Sequence, residues 1–173
     1  GRLVPEKGVD LLIRAAASLP RPWQLTIAGD GPERAGLTSL ARRLGMQDQL
    51  FFDGQLPAGR MPAFLQQLDV LVLPSRSRPN WAEQFGRVLI EAMACGTVVI
   101  GSECGEIPHV VGDAGLIFPE EDVSVLHSHL LRLMQEPETR ARLAQRGRER
   151  VLERFTQKQV ATQTVDVYRE MVA

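Results

Sequence analysis

Five short apolar runs punctuate the chain: LTIAG (25–29), LFFDG (50–54), VLVLPS (70–75), TVVIGS (97–102) and GLIFP (115–119). Between them, apolar positions recur at helical spacing over about 8–18, 33–44, 58–68, 86–95 and 106–111. Strands that are apolar almost throughout, alternating with amphipathic helices, predict a parallel sheet buried on both faces. The expected class is therefore α/β, a doubly wound parallel sheet, with the first half of its opening strand lying upstream of Gly1. From Asp122 the strands stop, and helices are expected over 122–135, 138–154 and 156–172, covering the sheet edge or meeting a neighbour. No linker, repeat or low-complexity segment interrupts residues 1–173, so they read as a single domain with a core at 1–121 and C-terminal helices at 122–173.

Composition narrows the partners. A hydrophobic share of 44% with 24% charged residues suits one ordinary globular domain. The formal charge of −1 offers no general attraction to nucleic acid, although a local basic pocket is compatible with it. Cys95 and Cys104 lack the spacing of a zinc site or a disulfide framework, and read as reduced packing residues of a cytoplasmic protein. Neither a signal peptide nor a membrane-spanning run is expected, while peripheral membrane contact stays open. The opening Gly-Arg-Leu-Val has no initiator methionine, which implies an upstream portion.

In open parallel sheets, ligands bind beyond the carboxyl ends of the strands. After LTIAG comes Gly29-Asp30-Gly31-Pro32-Glu33, with two glycines of a dinucleotide fingerprint but Arg34 in the third position, which disfavours a nicotinamide or flavin site. Either this loop is a tight turn opening the next helix or it touches a ligand, and the turn is the simpler reading.

The stretch EQFGRVLIEAMACG (83–96) sets two glutamates eight residues apart. On one continuous helix they would stand roughly 80° apart and could not readily share a ligand. If the helix begins near Gly86, however, Glu83 precedes it and Glu91 lies inside it. Unpaired amides and the helix dipole at such a start favour phosphate. A diphosphate would fit there, with Glu83 accepting from sugar hydroxyls on one side and Glu91 holding ribose hydroxyls on the other. The alternative is a dipole-favoured carboxylate and a solvated or salt-bridged helical glutamate. Arg2 and Lys7 in GRLVPEKG could supply cations at the same rim and neutralise a leaving diphosphate, or could be solvated surface.

Taken in order, GRLVPEKG, AGDGPE, LFFDGQL, DVLVLPS, EQFGRVLIEAMACGTVVI and GDAGLIFPEED give the chain a family likeness. It resembles the C-terminal, donor-binding half of the retaining glycosyltransferases with the GT-B fold, the glycogen-synthase-like and sucrose-synthase-like group often called family 4. The resemblance implies a Rossmann-like domain and the transfer of a sugar from a nucleoside diphosphate, with retained anomeric configuration and without a bound metal or other cofactor. It implies catalytic parts for Glu83, Arg2 and Lys7, ribose binding by Glu91, and phosphate contacts from the backbone of Phe85, Gly86, Arg87 and Val88. Backbone from Gly54 to Leu56 would border the base. The acceptor would come with a missing N-terminal α/β domain, so the fragment alone is expected to transfer no sugar.

The family often reads Gly-Gly-Ile-Pro-Glu where this chain has Cys104-Gly105-Glu106-Ile107-Pro108-His109, and Gln84 is a milder variation. These departures bear on donor-sugar selectivity. Three other functions share parts of the pattern. They are a nucleotide-sugar epimerase of the same architecture, a nucleotide-sensing or interaction module without catalysis, and a glycosidase using Glu83 and Glu91 as acid and base. His127 and His129, two apart on a predicted helix, diverge and suggest no metal site.

Overall fold

The apolar runs become strands β1 (Leu25–Ala28), β2 (Leu50–Gly54), β3 (Val70–Leu73), β4 (Val98–Ser102) and β5 (Leu116–Phe118). The computed structural model describes residues 1–172. Helix α1 (Val9–Ala16) precedes β1, and α2 (Arg34–Arg43), α3 (Met61–Leu65), α4 (Arg87–Ala94) and α5 (Ile107–Val111) connect the strands in turn. Then α6 (Val123–Gln135), α7 (Pro137–Arg154) and α8 (Gln157–Val172) close the chain. The helix expected over 58–68 is shorter: a 3-10 turn, Ala58–Arg60, precedes α3, with Pro62 in the first turn of α3. Proline is tolerated there because its missing N–H has no intrahelical acceptor.

All pairings are parallel, as expected of a doubly wound domain, but the strands form two sheets. β1 pairs with β2, while β3, β4 and β5 pair in that order, so β1 and β3 share no ladder. Burial follows the pairing. Every residue of β4 is buried, whereas all four residues of β3 are only half-buried, because one edge of β3 has no strand beside it.

One apolar cluster packs Leu65, Leu89, Met93, Val99, Ile107 and Val111 between α3, α4, α5 and β4. A second joins Leu3, Ile13, Ile27, Leu37, Leu40 and Met46 around β1. The third sets Leu12, Ile100, Phe118, Leu126, Leu133 and Leu143 beneath α1, α6 and α7. The cationic Arg150 of α7, 7% exposed, donates from Nε to the Val110 carbonyl at 2.9 Å and from Nη2 to that of His109 at 2.7 Å. A guanidinium at the carboxyl end of α5 meets carbonyls that the helix leaves unpaired.

The first residues tie the carboxyl ends of β1 and β3 together. Gly1 donates its amine to the Ala28 carbonyl at 2.6 Å, Leu3 N donates to Asp30 O at 2.9 Å, and Arg76 N donates to Glu6 O at 2.9 Å. Both sheets therefore end at one rim.

Candidate functional site

Lys7 closes a 3-10 turn, Pro5–Lys7, just ahead of α1. Its Nζ donates to Glu83 Oε2 at 2.6 Å and lies 4.9 Å from the centre of the Trp81 ring. Ser75 Oγ donates to the same carboxylate oxygen at 3.1 Å. The two charged side chains are 23% and 14% exposed, so water screens the pair only in part. Among the described residues no donor is placed on Glu83 Oε1, which leaves that oxygen to accept from a hydroxyl.

Glu83 is fixed from behind by the loop that follows β4. Its amide donates to Cys104 Sγ at 3.4 Å, and Glu106 N donates to its carbonyl at 3.0 Å. Gly105, at φ +56°, makes this possible: a Cβ there would stand 2.2 Å from the Glu83 carbonyl oxygen. Any side chain would displace the backbone that carries the carboxylate.

Gly86 caps α4 in a left-handed conformation, φ 71° and ψ 48°. Leu89 N donates to Gly86 O at 2.8 Å, while the amides at the start of an α-helix have no intrahelical acceptor. Glu83 thus lies on the entering loop and Glu91 in the helix, so the angular objection to their cooperation disappears. Arg87 Nε stands 3.2 Å from Glu91 Oε1, but Arg87 is 83% exposed and holds the carboxylate loosely.

Arg2, Lys7, Leu56, Glu83, Gly86, Arg87, Val88 and Glu91 all line one cleft of about 1640 Å³, which runs from the strand ends back between β1 and β3 as far as Trp23, Gln49 and Arg140. Two predicted contributors stand off from it. The exposed Phe85 ring meets Phe155 edge-on at 5.9 Å, and Gly54 at the end of β2 gives its carbonyl to Gly29 N at 2.7 Å. Glu83 also borders a second hollow of about 540 Å³, lined by Arg78, Asn80, Trp81, Gln84, Gly105 and Glu106. Of the two departures in the loop 104–109, Glu106 reaches this hollow, whereas His109 is exposed on α5.

The loop Gly29–Glu33 is a turn. Gly31 N donates to Asp30 Oδ1 at 2.8 Å, Asp30 pairs with Arg34 at 3.0 Å, and Glu33 N donates to Leu3 O at 3.0 Å. His127 Nδ1 contacts the Ala15 carbonyl at 2.8 Å and His129 Nε2 that of Ile117 at 3.0 Å, so the two rings serve separate packing contacts.

Sequence reasoning missed several supporting residues. Ser75 was visible as the last polar residue of VLVLPS, and Trp81 as the one aromatic of its loop. Nothing in the sequence assigned Cys104 and Gly105 to the back of Glu83. Equally hidden was Glu120, whose two oxygens accept from Ser77 N at 2.6 Å and Ser77 Oγ at 2.7 Å, pinning the loop after β3.

Comparison with known proteins places this geometry in context. The profile of the family described as Glycosyl transferases group 1 matches residues 1–150. A GDP-mannose-dependent alpha-(1-6)-phosphatidylinositol monomannoside mannosyltransferase of Mycolicibacterium smegmatis is 34% identical over 161 residues, 89% of this chain and 42% of that protein. N-acetyl-alpha-D-glucosaminyl L-malate synthase of Bacillus anthracis is 30% identical over 151 residues, covering 86% and 38%. The structure of sucrose-phosphate synthase from Thermosynechococcus elongatus superposes with a TM-score of 0.85 at 31% identity, over 99% of this chain and 44% of that one. Anabaena HepE, crystallised in complex with UDP, shares the fold with a TM-score of 0.89 at 24% identity, over 98% and 47%. The chain spans less than half the length of each of these proteins.

Proposed function

The chain belongs to the glycosyl transferases group 1 family, with the fold of a C-terminal GT-B domain, and we propose that its cleft binds the nucleoside diphosphate sugar from which a retaining glycosyltransferase takes its sugar. The observation that carries this reading is the meeting of the Lys7–Glu83 pair with the amino end of α4 and Glu91 in one cleft.

In this reading the diphosphate sits at the start of α4, facing the amides of Arg87 and Val88. Lys7 and Arg2 balance its charge, so no resident metal is called for. As the bond from sugar to diphosphate breaks, positive charge grows on the sugar and negative charge on the leaving oxygen. A fixed ammonium and a helix amino end stabilise the second of these more in the transition state than before it. Glu83, anchored through Oε2, offers Oε1 to a sugar hydroxyl, and Glu91 turns from Arg87 toward the ribose. The acceptor comes with an N-terminal α/β domain, and residues 1–173 alone transfer no sugar.

The related mannosyltransferase of M. smegmatis is GDP-mannose-dependent, and HepE was crystallised with UDP and with UDP-glucose. A calorimetric screen should therefore include ADP, GDP and UDP with their sugar conjugates, repeated on Lys7→Ala and Glu91→Ala. Losing one charge-assisted contact should weaken binding by roughly tenfold or more. Binding that survives both substitutions unchanged would refute the assignment, as would sugar transfer by the isolated chain.

A further inference from the structure

Lys7 and Glu83 line the cleft, whereas Trp81 lines the second hollow, which shares Glu83 as a wall. The Lys7 ammonium lies 4.9 Å from the centre of the Trp81 ring and 2.6 Å from Glu83 Oε2. It is therefore backed by a ring on one side and open to the cleft on the other. Both supports are fixed. Arg78 N donates to Trp81 O at 2.8 Å and Trp81 N to Arg78 O at 3.0 Å, which closes a tight hairpin over Pro79 and Asn80. The ring also packs against the apolar cluster of Leu65, Leu89 and Met93, and the Glu83 backbone is held by the loop after β4.

A lysine needs such support, because its long stem loses more rotamer freedom on ordering than most side chains do. One carboxylate oxygen holds the ammonium at a single point and leaves the stem free to swing about it. A ring face adds a second point through its quadrupole, without bringing a charge. That distinction matters in a site for an anion. Glu83 already offsets one positive charge, so a further carboxylate behind Lys7 would make the group net negative, whereas Trp81 holds the cation and leaves its charge available to a diphosphate. The Lys7 and Glu83 side chains are 23% and 14% exposed, and a cation over a ring attracts more strongly in such partial shelter than at an open surface.

We propose that Trp81 is a positioning residue for the diphosphate: its ring holds the Lys7 ammonium at the cleft wall, where the three protons of that ammonium serve both Glu83 and the phosphate oxygens. This rests on the reading that the cleft binds a nucleoside diphosphate sugar, and adds to it a residue that acts through Lys7 alone. Trp81→Phe keeps a ring face and should weaken binding of a nucleoside diphosphate less than about threefold. Trp81→Leu keeps apolar bulk without a ring and should weaken it about three- to thirtyfold. In a Lys7→Ala background, Trp81→Leu should change binding less than about twofold, because the cation it positions is gone.

The test measures calorimetric Kd values for UDP, GDP and ADP on the unmodified chain and these variants, and follows the ammonium itself by NMR. The chain has two lysines, Lys7 and the exposed Lys158, so their signals are readily told apart. The Cε protons of Lys7, beside the ring, should resonate upfield of those of Lys158, move when a diphosphate binds, and fall back toward the Lys158 position in Trp81→Leu. Coincident Lys7 and Lys158 signals in the unmodified chain would overturn the proposal. So would an equal loss of affinity from Trp81→Leu with and without Lys7, which is the mark of a purely structural role. If Trp81→Leu does not fold, the Lys7 signals of the unmodified chain decide: displaced and moved by nucleotide they support the proposal, unmoved they overturn it. Binding that Trp81→Leu leaves unchanged would overturn this inference alone, whereas no binding of any of the three to the unmodified chain would overturn the proposed function and this inference with it.

Discussion

Strand β4 buries all five of its residues, whereas in β2 only Leu50 is buried and Phe51 is left 43% exposed at the outer edge. The three-stranded half is covered by α4, α5 and α7, and it carries Glu83, the start of α4 and Glu91. The two-stranded half brings the strand-end backbone that seats Gly1 and Leu3. The contrast teaches that the carboxylates and helix start proposed for chemistry stand on the better covered half, and that the segment seated at the end of β1 brings Arg2 and Lys7 to them. Lys7, carried on that segment, pairs with Glu83 on the other half and adds an ion pair to the Arg76–Glu6 backbone bond and the Arg76–Asp10 pair that also join the two.

Truncating the core on each side gives the largest expected difference. Ile100→Ala in β4, at a fully buried position, should cost about 2–5 kcal/mol in urea denaturation, and Phe51→Ala well under about 1.5 kcal/mol. Comparable costs would mean that the two halves are equally packed and the contrast fails. The tie itself comes next. Lys7→Ala and Glu83→Ala should each destabilise by about 1–3 kcal/mol, because each leaves a partly buried partner uncompensated, and the double variant should cost less than the sum. Additivity in that cycle would show that the pair does not join the halves.

Gly105→Ala sharpens the same point through the backbone. Gly105 and Gly45 both have positive φ, but only Gly105 backs onto Glu83, while a Cβ at Gly45 would enter open space. Gly105→Ala should cost about 1–3 kcal/mol and weaken nucleotide-sugar binding, whereas Gly45→Ala should cost about 1 kcal/mol and leave binding intact. Equal binding losses would separate Gly105 from the site.

The smallest effect is one of pH. The Asp113 carboxyl lies below its ordinary 3.8, chiefly because Arg146 donates to it at 2.9 Å. A depressed carboxylate stabilises the fold above its unfolded value, and that contribution is lost as pH falls through the folded value. Asp113→Asn should therefore destabilise the fold slightly at neutral pH, and the difference should shrink as pH falls through and below 3.8. A difference that persists undiminished in acid would contradict this origin.

The elements were legible because five apolar runs bounded by turn residues state both their type and their order. Even the helix start at Gly86 could be read, since a glycine between Phe85 and a helical pattern marks a change in backbone direction. The division into two sheets could not, because an apolar run carries no record of which of its edges is paired. At the site, the carboxylates and cations announced themselves by type and spacing. Their supports did not: Cys104 meets the Glu83 amide across 21 positions and Lys7 meets its carboxylate across 76, distances over which no local pattern extends.

The most direct test of the central claim is a backbone-amide NMR titration of the chain with a nucleoside diphosphate, supplied in turn as UDP, GDP and ADP. At least one should move the Arg87, Val88 and Leu89 amides furthest, together with Lys7, and those shifts should vanish in Lys7→Ala. Shifts confined to α6–α8, or none at millimolar nucleotide with any of the three, would contradict a diphosphate site at the amino end of α4.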